Sequence, residues 1–130
     1  MQQHKISPRA EYRQQENLRI SASPNLAERF RGLKSLTVDL AYYDSGGIHK
    51  TGQIKYTVNL ANAKSAFSFI CPNNECIGGD FDLSQELAEA VAAQLTTATG
   101  EACCQGWQSK TTIDSVHCHN ILRYKFSLEY

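Results

Sequence analysis

The nine residues CPNNECIGG, at positions 71–79, contain two cysteines, one on each side of four residues that favour a turn. Pro72 can start such a turn, and Gly79 has no side chain to obstruct the backbone as it passes the second cysteine. A short turn of this kind brings the sulfur atoms of Cys71 and Cys76 to one point, where thiolates can bind Zn²⁺. The stretch therefore predicts one half of a zinc site.

The sequence on both sides of this stretch predicts regular structure. Before it, AFSFIC at 66–71 alternates as a short strand does, with Phe67, Phe69 and Cys71 on one face. After it, apolar residues recur at every fourth position and predict the main helix of the protein. We expect Asp82 to cap this helix and Gly100 to end it. The recurring residues are Leu83, Leu87, Val91 and Leu95.

Further strands are predicted where apolar and polar residues alternate. LTVDLAYYD at 36–44 and IKYTVNL at 54–60 are joined by a glycine-rich loop and predict an antiparallel hairpin. EACCQGWQSK at 101–110 predicts a fourth strand, and HCHNILRYKFSLEY at 117–130 predicts a fifth. The residues expected to face the core are Leu36, Val38, Leu40, Tyr42, Ile54, Tyr56, Val58, Leu60, Leu122, Tyr124, Phe126, Leu128 and Tyr130.

These elements together predict an α+β fold. A short N-terminal helix over about residues 24–31 precedes the order β-β-β-α-β-β, which gives a single antiparallel sheet of about five strands packed by one main helix. We expect Cys71 to end the third strand and Cys104 and Cys118 to start the last two. Such positions can meet at one edge of an antiparallel sheet. The predicted metal ligands at that edge are Cys71, Cys76, Cys104 and Cys118.

Other residues compete for places in this site. Cys103 adjoins Cys104, and only one of two adjacent strand residues can face the metal. His117 and His119 flank Cys118 and are candidate replacement ligands. Two hypotheses without a metal also remain open. In the first, the thiols are buried and pack as small apolar side chains, and in the second, two of the cysteines form a disulfide.

Charge is unevenly distributed along the 130 residues, although the net charge is zero. Residues 1–34 contain seven Lys and Arg against three Glu. We expect residues 1–20 to form a basic, partly mobile N-terminal arm and residues 21–130 to form a single zinc-stabilised domain. The first twenty residues contain no apolar run of the kind found in a signal peptide, and no apolar stretch in the sequence is long enough to span a membrane. We therefore expect a cytoplasmic protein, whose thiols stay reduced.

Five stretches resemble a family of small uncharacterised bacterial proteins with the pattern CPxxxCxGG…CQGW…C. They are SPNLAERF, LKSLTVDLAYYD, CPNNECIGGDFDLS, CCQGWQSK and CHNILRYKFSLEY. The resemblance covers most of residues 8–130. It implies that a single cysteine before QGW serves as the ligand, which favours Cys104 over Cys103. The resemblance implies no particular activity.

These features favour a non-catalytic, zinc-stabilised binding module. Its partner would be a protein, or nucleic acid held by the basic arm. A separate alternative is a subunit of an assembly, in which KFSLEY forms a sheet edge that can pair with a second copy, so the oligomeric state is left open with a dimer as one option. The alternative function is a small zinc-dependent hydrolase, with Glu75, His117 or His119 beside the metal, or a thiol-redox protein that uses Cys103. Neither HExxH nor the deaminase pattern HxE…PCxxC occurs in the chain.

Overall fold

The computed structural model describes residues 8–44, 47–72, 76–77, 79–104, 106–109 and 115–130, and shows an α+β fold as predicted. The helices are α1 (Pro8–Ala22), α2 (Leu26–Arg29) and α3 (Ser84–Ala92). The strands are β1 (Ser35–Asp44), β2 (His49–Thr57), β3 (Ser68–Ile70), β4 (Cys76–Ile77), β5 (Asp80–Asp82), β6 (Thr97–Cys103), β7 (Trp107–Ser109), β8 (Ser115–His117) and β9 (Ile121–Glu129).

The main sheet has four antiparallel strands in the order β2-β1-β9-β6. The predicted hairpin of β1 and β2 is confirmed, with Leu40 opposite Ile54 and a bulge after Tyr42. The C-terminal strand β9 lies between β1 and β6, so both of its backbone edges are already paired. The prediction that KFSLEY forms a sheet edge is therefore wrong, whereas the dimer itself stays an untested alternative.

Two small sheets replace the rest of the single five-strand sheet that the sequence predicts. β3 pairs with β5, and β4, β7 and β8 form a three-stranded sheet. The predicted third strand leaves the main sheet because its ladder closes on the chain immediately after the cysteine turn, with Ile70 opposite Asp80. Likewise β7 is separated from β6 by Cys104, so residues 101–110 do not form one strand.

One face of the main sheet forms the core. Apolar residues at alternate positions of β1 and β9 are buried as predicted, and the ring of Phe126 packs 6.0 Å from the ring of Phe67. Residues from α2, the β3–β5 hairpin and α3 cover this face, which gives the two-layer arrangement of an α+β protein. The buried sheet residues are Leu36, Val38, Leu40, Leu122, Phe126 and Leu128, and the covering residues include Leu26, Phe67, Phe81, Leu83, Leu87 and Ala90.

Strand β2 is more exposed than its alternating sequence predicts. Ile54 and Tyr56 are 50% and 37% exposed, although each lies opposite a buried residue of β1. β2 is an edge strand of the sheet, and the covering layer does not extend over these two side chains. The period-two pattern predicted a strand over residues 54–60, whereas β2 begins earlier and ends at Thr57, and the pattern could not predict where the covering layer ends.

Helix α3 ends earlier than its apolar repeat predicts. Gln94 has a positive φ of 52°, and the following residues enter β6, so Gly100 lies in a strand and does not end the helix. The β-branched threonines of TTATG favour a strand over a helix. Leu95, expected on the buried stripe, is 44% exposed. The N-cap residue is Leu83 and not Asp82 as predicted, although Oδ1 of Asp82 accepts a hydrogen bond from the backbone N–H of Ser84.

The N-terminal region also differs from the prediction. Residues 8–20, expected to be irregular, belong to α1, whereas residues 1–7 lie outside the described part of the chain. The helix expected over residues 24–31 is the single turn α2, which Asn25 precedes. Among the described residues, no helix has both the length and the apolar character needed to cross a membrane. The division into an arm and a domain stays a prediction.

Candidate metal centre

The structure brings together the sulfur atoms of Cys71, Cys76, Cys104 and Cys118. All four Sγ atoms lie within 4.8 Å of one another, and each residue is at most 2% exposed. The two sulfurs of Cys76 and Cys104 are 3.4 Å apart, and those of Cys71 and Cys118 are 3.9 Å apart. In a tetrahedron with metal–sulfur distances of about 2.3 Å, neighbouring sulfurs are about 3.8 Å apart. The cluster therefore has the dimensions of a four-thiolate metal site.

The β3–β5 hairpin holds the first two cysteines. The backbone N–H of Cys71 donates to the carbonyl oxygen of Gly79 at 2.9 Å, which extends the β3–β5 ladder by one pair beyond Ile70 and Asp80. Cys76 lies in the loop of this hairpin, where β4 pairs with β7. Residues 73–75, where the turn is predicted, lie outside the described part of the chain, whereas the described residues Cys76 and Ile77 form the short strand β4.

The other two cysteines flank the β7–β8 hairpin. Cys104 follows β6 and Cys118 lies between β8 and β9, so the prediction that these two cysteines start strands is wrong. The N–H of Cys104 donates to the carbonyl oxygen of Asn120 at 2.9 Å. The N–H of Cys118 donates to the carbonyl oxygen of Gly106 at 3.0 Å. These two bonds extend the β6–β9 and β7–β8 ladders toward the site. The cysteines therefore meet at the rim of the main sheet, where two hairpin insertions pair with each other.

Two N–H groups point at sulfur atoms of the cluster. The side-chain amide of Asn120 donates to Cys71 Sγ at 3.3 Å, and the backbone N–H of Gly106 donates to Cys104 Sγ at 3.4 Å. Hydrogen bonds of this kind favour a thiolate over a thiol and are common around metal-bound cysteines. The sequence did not single out Asn120, whose role depends on its position two residues after Cys118 at the start of β9.

Glycines permit the close approach of the two insertions. A Cβ on Gly79 would lie 2.7 Å from Cys104 Sγ and would also overlap Cys76 Sγ. A Cβ on Gly106 would overlap Cys76 Sγ and lie 2.6 Å from the Cα atom of Gly79. Real Cβ atoms do not make such contacts, so both positions require glycine for steric reasons. The sequence predicts that Gly79 lets the backbone pass close to the second cysteine. Its contact with Gly106 could not be predicted without the fold.

Burial alters the ionisation of these thiols. Burial raises the pKa of Cys76 from 9.0 to about 12, although its hydrogen bond with Cys104 opposes the shift. The hydrogen bond with Cys71, together with burial, raises the pKa of Cys104 above its ordinary range. Both groups are therefore neutral thiols at neutral pH when no cation is bound. A divalent cation would reverse this preference, because each thiolate would then face a positive charge.

Helix α1 contacts the site through two arginines that sequence analysis assigned to the basic arm. Arg9 Nη1 donates to the carbonyl oxygen of Cys76 at 2.6 Å, and Arg9 Nη2 reaches the carbonyl oxygen of Cys71 at 3.5 Å. Arg13 Nη2 pairs with both carboxylate oxygens of Asp80, at 2.6 and 2.5 Å. Burial raises the pKa of Asp80, and Arg13 opposes this shift. The two arginines thus fasten α1 to the hairpin that carries the cysteines.

The competing residues do not enter the cluster as far as the structure describes them. All five cysteines are in the thiol form, and Cys103 is exposed on β6, opposite Ile121. His119 is exposed between Cys118 and β9. Glu75 and the side chains of Trp107 and His117 lie outside the described part of the structure. Among the described residues, the set that could hold a metal consists of the four buried cysteines alone.

No family model matches this chain, and neither does any curated protein or any solved structure. The resemblance to a bacterial family with the pattern CPxxxCxGG…CQGW…C therefore stays a prediction.

Proposed function

We propose that Cys71, Cys76, Cys104 and Cys118 bind one structural Zn²⁺ ion. The observation that carries this proposal is the mutual distance of at most 4.8 Å among four buried sulfurs drawn from separate hairpins. Zn²⁺ accepts four thiolates in a tetrahedron without a preference imposed by d electrons. Iron is the main competing ion, since tetrahedral four-sulfur sites also suit it.

The proposed role of the ion is structural and not catalytic. A catalytic zinc site usually has three protein ligands and an open position for water, whereas four thiolates fill the coordination sphere. Four thiolates also donate enough charge to make the ion a weak Lewis acid. The ion would join the β3–β5 and β7–β8 hairpins at the rim of the sheet. The hydrolase alternative requires that one sulfur be replaced by water.

We further propose that the module binds a protein partner in the cytoplasm. Nucleic acid is less well supported than sequence analysis suggested, because Arg9, Arg13 and Arg19 contact groups within their own chain. Exposed apolar side chains favour a protein partner, since such groups are enriched at the centres of protein interfaces. The large apolar residues with substantial exposure are Leu18, Ile48, Ile54, Tyr56, Ile70 and Leu95.

Elemental analysis of the purified full-length protein tests the metal assignment. We expect one zinc per chain, and Co²⁺ substitution should produce the strong visible bands of a tetrahedral site together with sulfur-to-metal charge transfer. If iron were found in place of zinc, the assignment of the ion would be wrong, but the four-cysteine site would stand. A sulfur-to-metal charge-transfer intensity that corresponds to three thiolates and not four would reject the closed four-thiolate site and favour the hydrolase.

A titration with single-stranded and double-stranded RNA at two salt concentrations tests the nature of the partner. Contacts with phosphate weaken as salt concentration rises, because bound cations are released from the nucleic acid. We expect no binding that depends on salt in this way. Strong salt-sensitive binding would contradict the preference for a protein partner while leaving the metal assignment intact.

A further inference from the structure

A cleft of about 250 Å³ lies beside the cysteine cluster. The described residues that line it are Asp44 from β1, Thr51 from β2, Pro72 from the loop after β3, and Asn120. Because Asn120 also donates to Cys71 Sγ at 3.3 Å, the cleft and the cluster share this side chain. Pockets for drug-sized ligands usually begin at about 300 Å³, so the cleft suits a small ligand or a single inserted side chain.

The described polar side chains at this cleft carry hydrogen-bond acceptors. The donor groups of two of them already point at other atoms of the protein. Oδ1 of Asp44 is buried and has no hydrogen-bond partner among the described residues. The hydroxyl of Thr51 donates to the carbonyl oxygen of Tyr42 at 3.3 Å, which leaves the lone pairs of its oxygen available. The side-chain amide nitrogen of Asn120 points at Cys71 Sγ, and the carbonyl oxygen of that amide is an acceptor. The described lining is therefore complementary to a ligand that supplies donors.

We propose that this cleft binds a protonated amine or a guanidinium group, with Asp44 as the counter-charge. Asp44 lines the cleft, and its buried Oδ1 has no hydrogen-bond partner among the described residues, so a cation in the cleft offsets the cost of burying this carboxylate. An ammonium group supplies three donors and a guanidinium supplies five, which suits a lining of carboxylate, hydroxyl and amide oxygens. The bound group is either a small free amine or a lysine or arginine side chain of a protein. Only the second source rests on the proposed protein-binding function.

NMR titration of the full-length protein, in the form in which it is purified, tests the proposal. The probes are n-butylammonium and n-butylguanidinium chloride, with 1-butanol as the uncharged comparison. Both cations should shift the backbone amides of Asp44 and Thr51 and the side-chain amide of Asn120 in a saturable manner, and butanol should not. Asp44→Asn should weaken cation binding at least about tenfold, because a charged hydrogen-bond partner is lost.

Asp39→Asn is the matched control, since Asp39 lies on the same strand and its carboxylate accepts a hydrogen bond from Gln53 at an exposed position. This variant should bind both cations with unchanged affinity. Equal shifts with butanol, unchanged binding by Asp44→Asn in a protein that keeps its wild-type spectrum elsewhere, or no saturable shift with either cation would each overturn the proposal.

A second titration separates the two sources of the cation. Capped Gly-Lys-Gly and Gly-Arg-Gly peptides are compared with the free butyl cations. Tighter binding of the peptides supports a side chain of a protein partner, whereas no gain from the peptide supports a small free amine. Failure of the protein-binding function would leave the cation titration unaffected, so the two proposals fail separately.

Discussion

Arg9 on helix α1 donates a hydrogen bond of 2.6 Å to the backbone carbonyl of Cys76, 67 residues later in the chain. The same guanidinium also reaches the carbonyl oxygen of Cys71 at 3.5 Å, so one cation lies behind two of the four clustered cysteines. A Zn²⁺ ion with four thiolates carries a net negative charge, which attracts this cation. The position of α1 is therefore coupled to the state of the proposed metal site.

Replacing Arg9 should loosen both the helix and the metal. We expect Arg9→Gln to lower the free energy of unfolding by roughly 1–2 kcal/mol, because a partly buried charged hydrogen bond is lost. Metal should also pass to a chelator faster than in the wild-type protein. Chemical denaturation and chelator kinetics measure the two effects. Arg31→Gln, at an exposed position after α2, is the control, and equal chelation rates in all three proteins would refute the coupling.

The adjacent pair Cys103 and Cys104 provides an internal comparison of a surface thiol with a thiol of the cluster. Cys104 is fully buried and its sulfur lies 3.4 Å from that of Cys76, whereas Cys103 is exposed. Cys104→Ser should weaken metal binding by more than about a hundredfold, which is the upper end of what changes outside the ligand set cost. It should also lower the melting temperature, because metal binding contributes to folding.

Cys103→Ser should keep the metal content and the melting temperature of the wild-type protein. Metal analysis and thermal melts of both variants, with and without chelator, make the comparison. If Cys103→Ser lost the metal and Cys104→Ser kept it, the assignment of the cluster would be wrong.

The choice of Cys71, Cys76, Cys104 and Cys118 as one cluster could be predicted from the sequence, because a short cysteine spacing and strand alternation are local patterns. The spacing of Cys71 and Cys76 indicated that both belong to one site, and the alternation of β9 predicts its buried face correctly. The choice between Cys103 and Cys104 came from a resemblance, and the structure places Cys104 in the cluster. Residue parity and turn composition are properties of short segments, so the sequence alone carries them.

Features that depend on contacts between distant segments could not be predicted in this way. The apolar stripe of α3 continues to Leu95, but the chain has already turned toward β6 at Gln94. The sequence places Arg9 in a basic, partly mobile arm, because its partners are backbone carbonyls that no side-chain pattern reveals. The division of the sheet likewise depends on hydrogen bonds that extend each ladder to a cysteine, such as that from Cys71 to Gly79.

Two glycines set the space in which the sulfurs meet, and small substitutions there should be severe. Gly79→Ala would place a Cβ 2.7 Å from Cys104 Sγ, and Gly106→Ala would force the same atom onto Cys76 Sγ and the backbone of Gly79. Overpacking of this kind typically costs about 1–3 kcal/mol. We expect each variant to lose that much stability and to bind metal more weakly, measured by denaturation and by competition with a chelator.

Gly32→Ala is the matched control, because a Cβ at that position meets no atom within 4 Å. It should leave both the stability and the metal affinity close to those of the wild-type protein. If Gly79→Ala and Gly106→Ala bound metal as tightly as the wild-type protein, the space between the two hairpins would be larger than the structure indicates.

Metal binding by the cluster should release protons and therefore depend steeply on pH. Burial raises the pKa of Cys76 from 9.0 to about 12, and the hydrogen bond with Cys71 together with burial raises the pKa of Cys104. Both groups are thus protonated at neutral pH without a metal, whereas the metal-bound site requires thiolates. At least two protons should leave for each ion bound, so affinity should fall about a hundredfold for each pH unit of acidification.

The same pKa shifts fix the sign of the stability change in the metal-free protein. A thiol whose pKa is higher in the folded state than in the unfolded chain stabilises the fold below pH 9.0, and this contribution is lost as the pH rises toward about 12. Calorimetry of metal binding in two buffers with different heats of ionisation counts the released protons, and Cys103→Ser should release the same number as the wild-type protein. A count below two would mean that the cluster already holds thiolates before the ion arrives, because protonated sulfurs cannot coordinate it without giving up their protons.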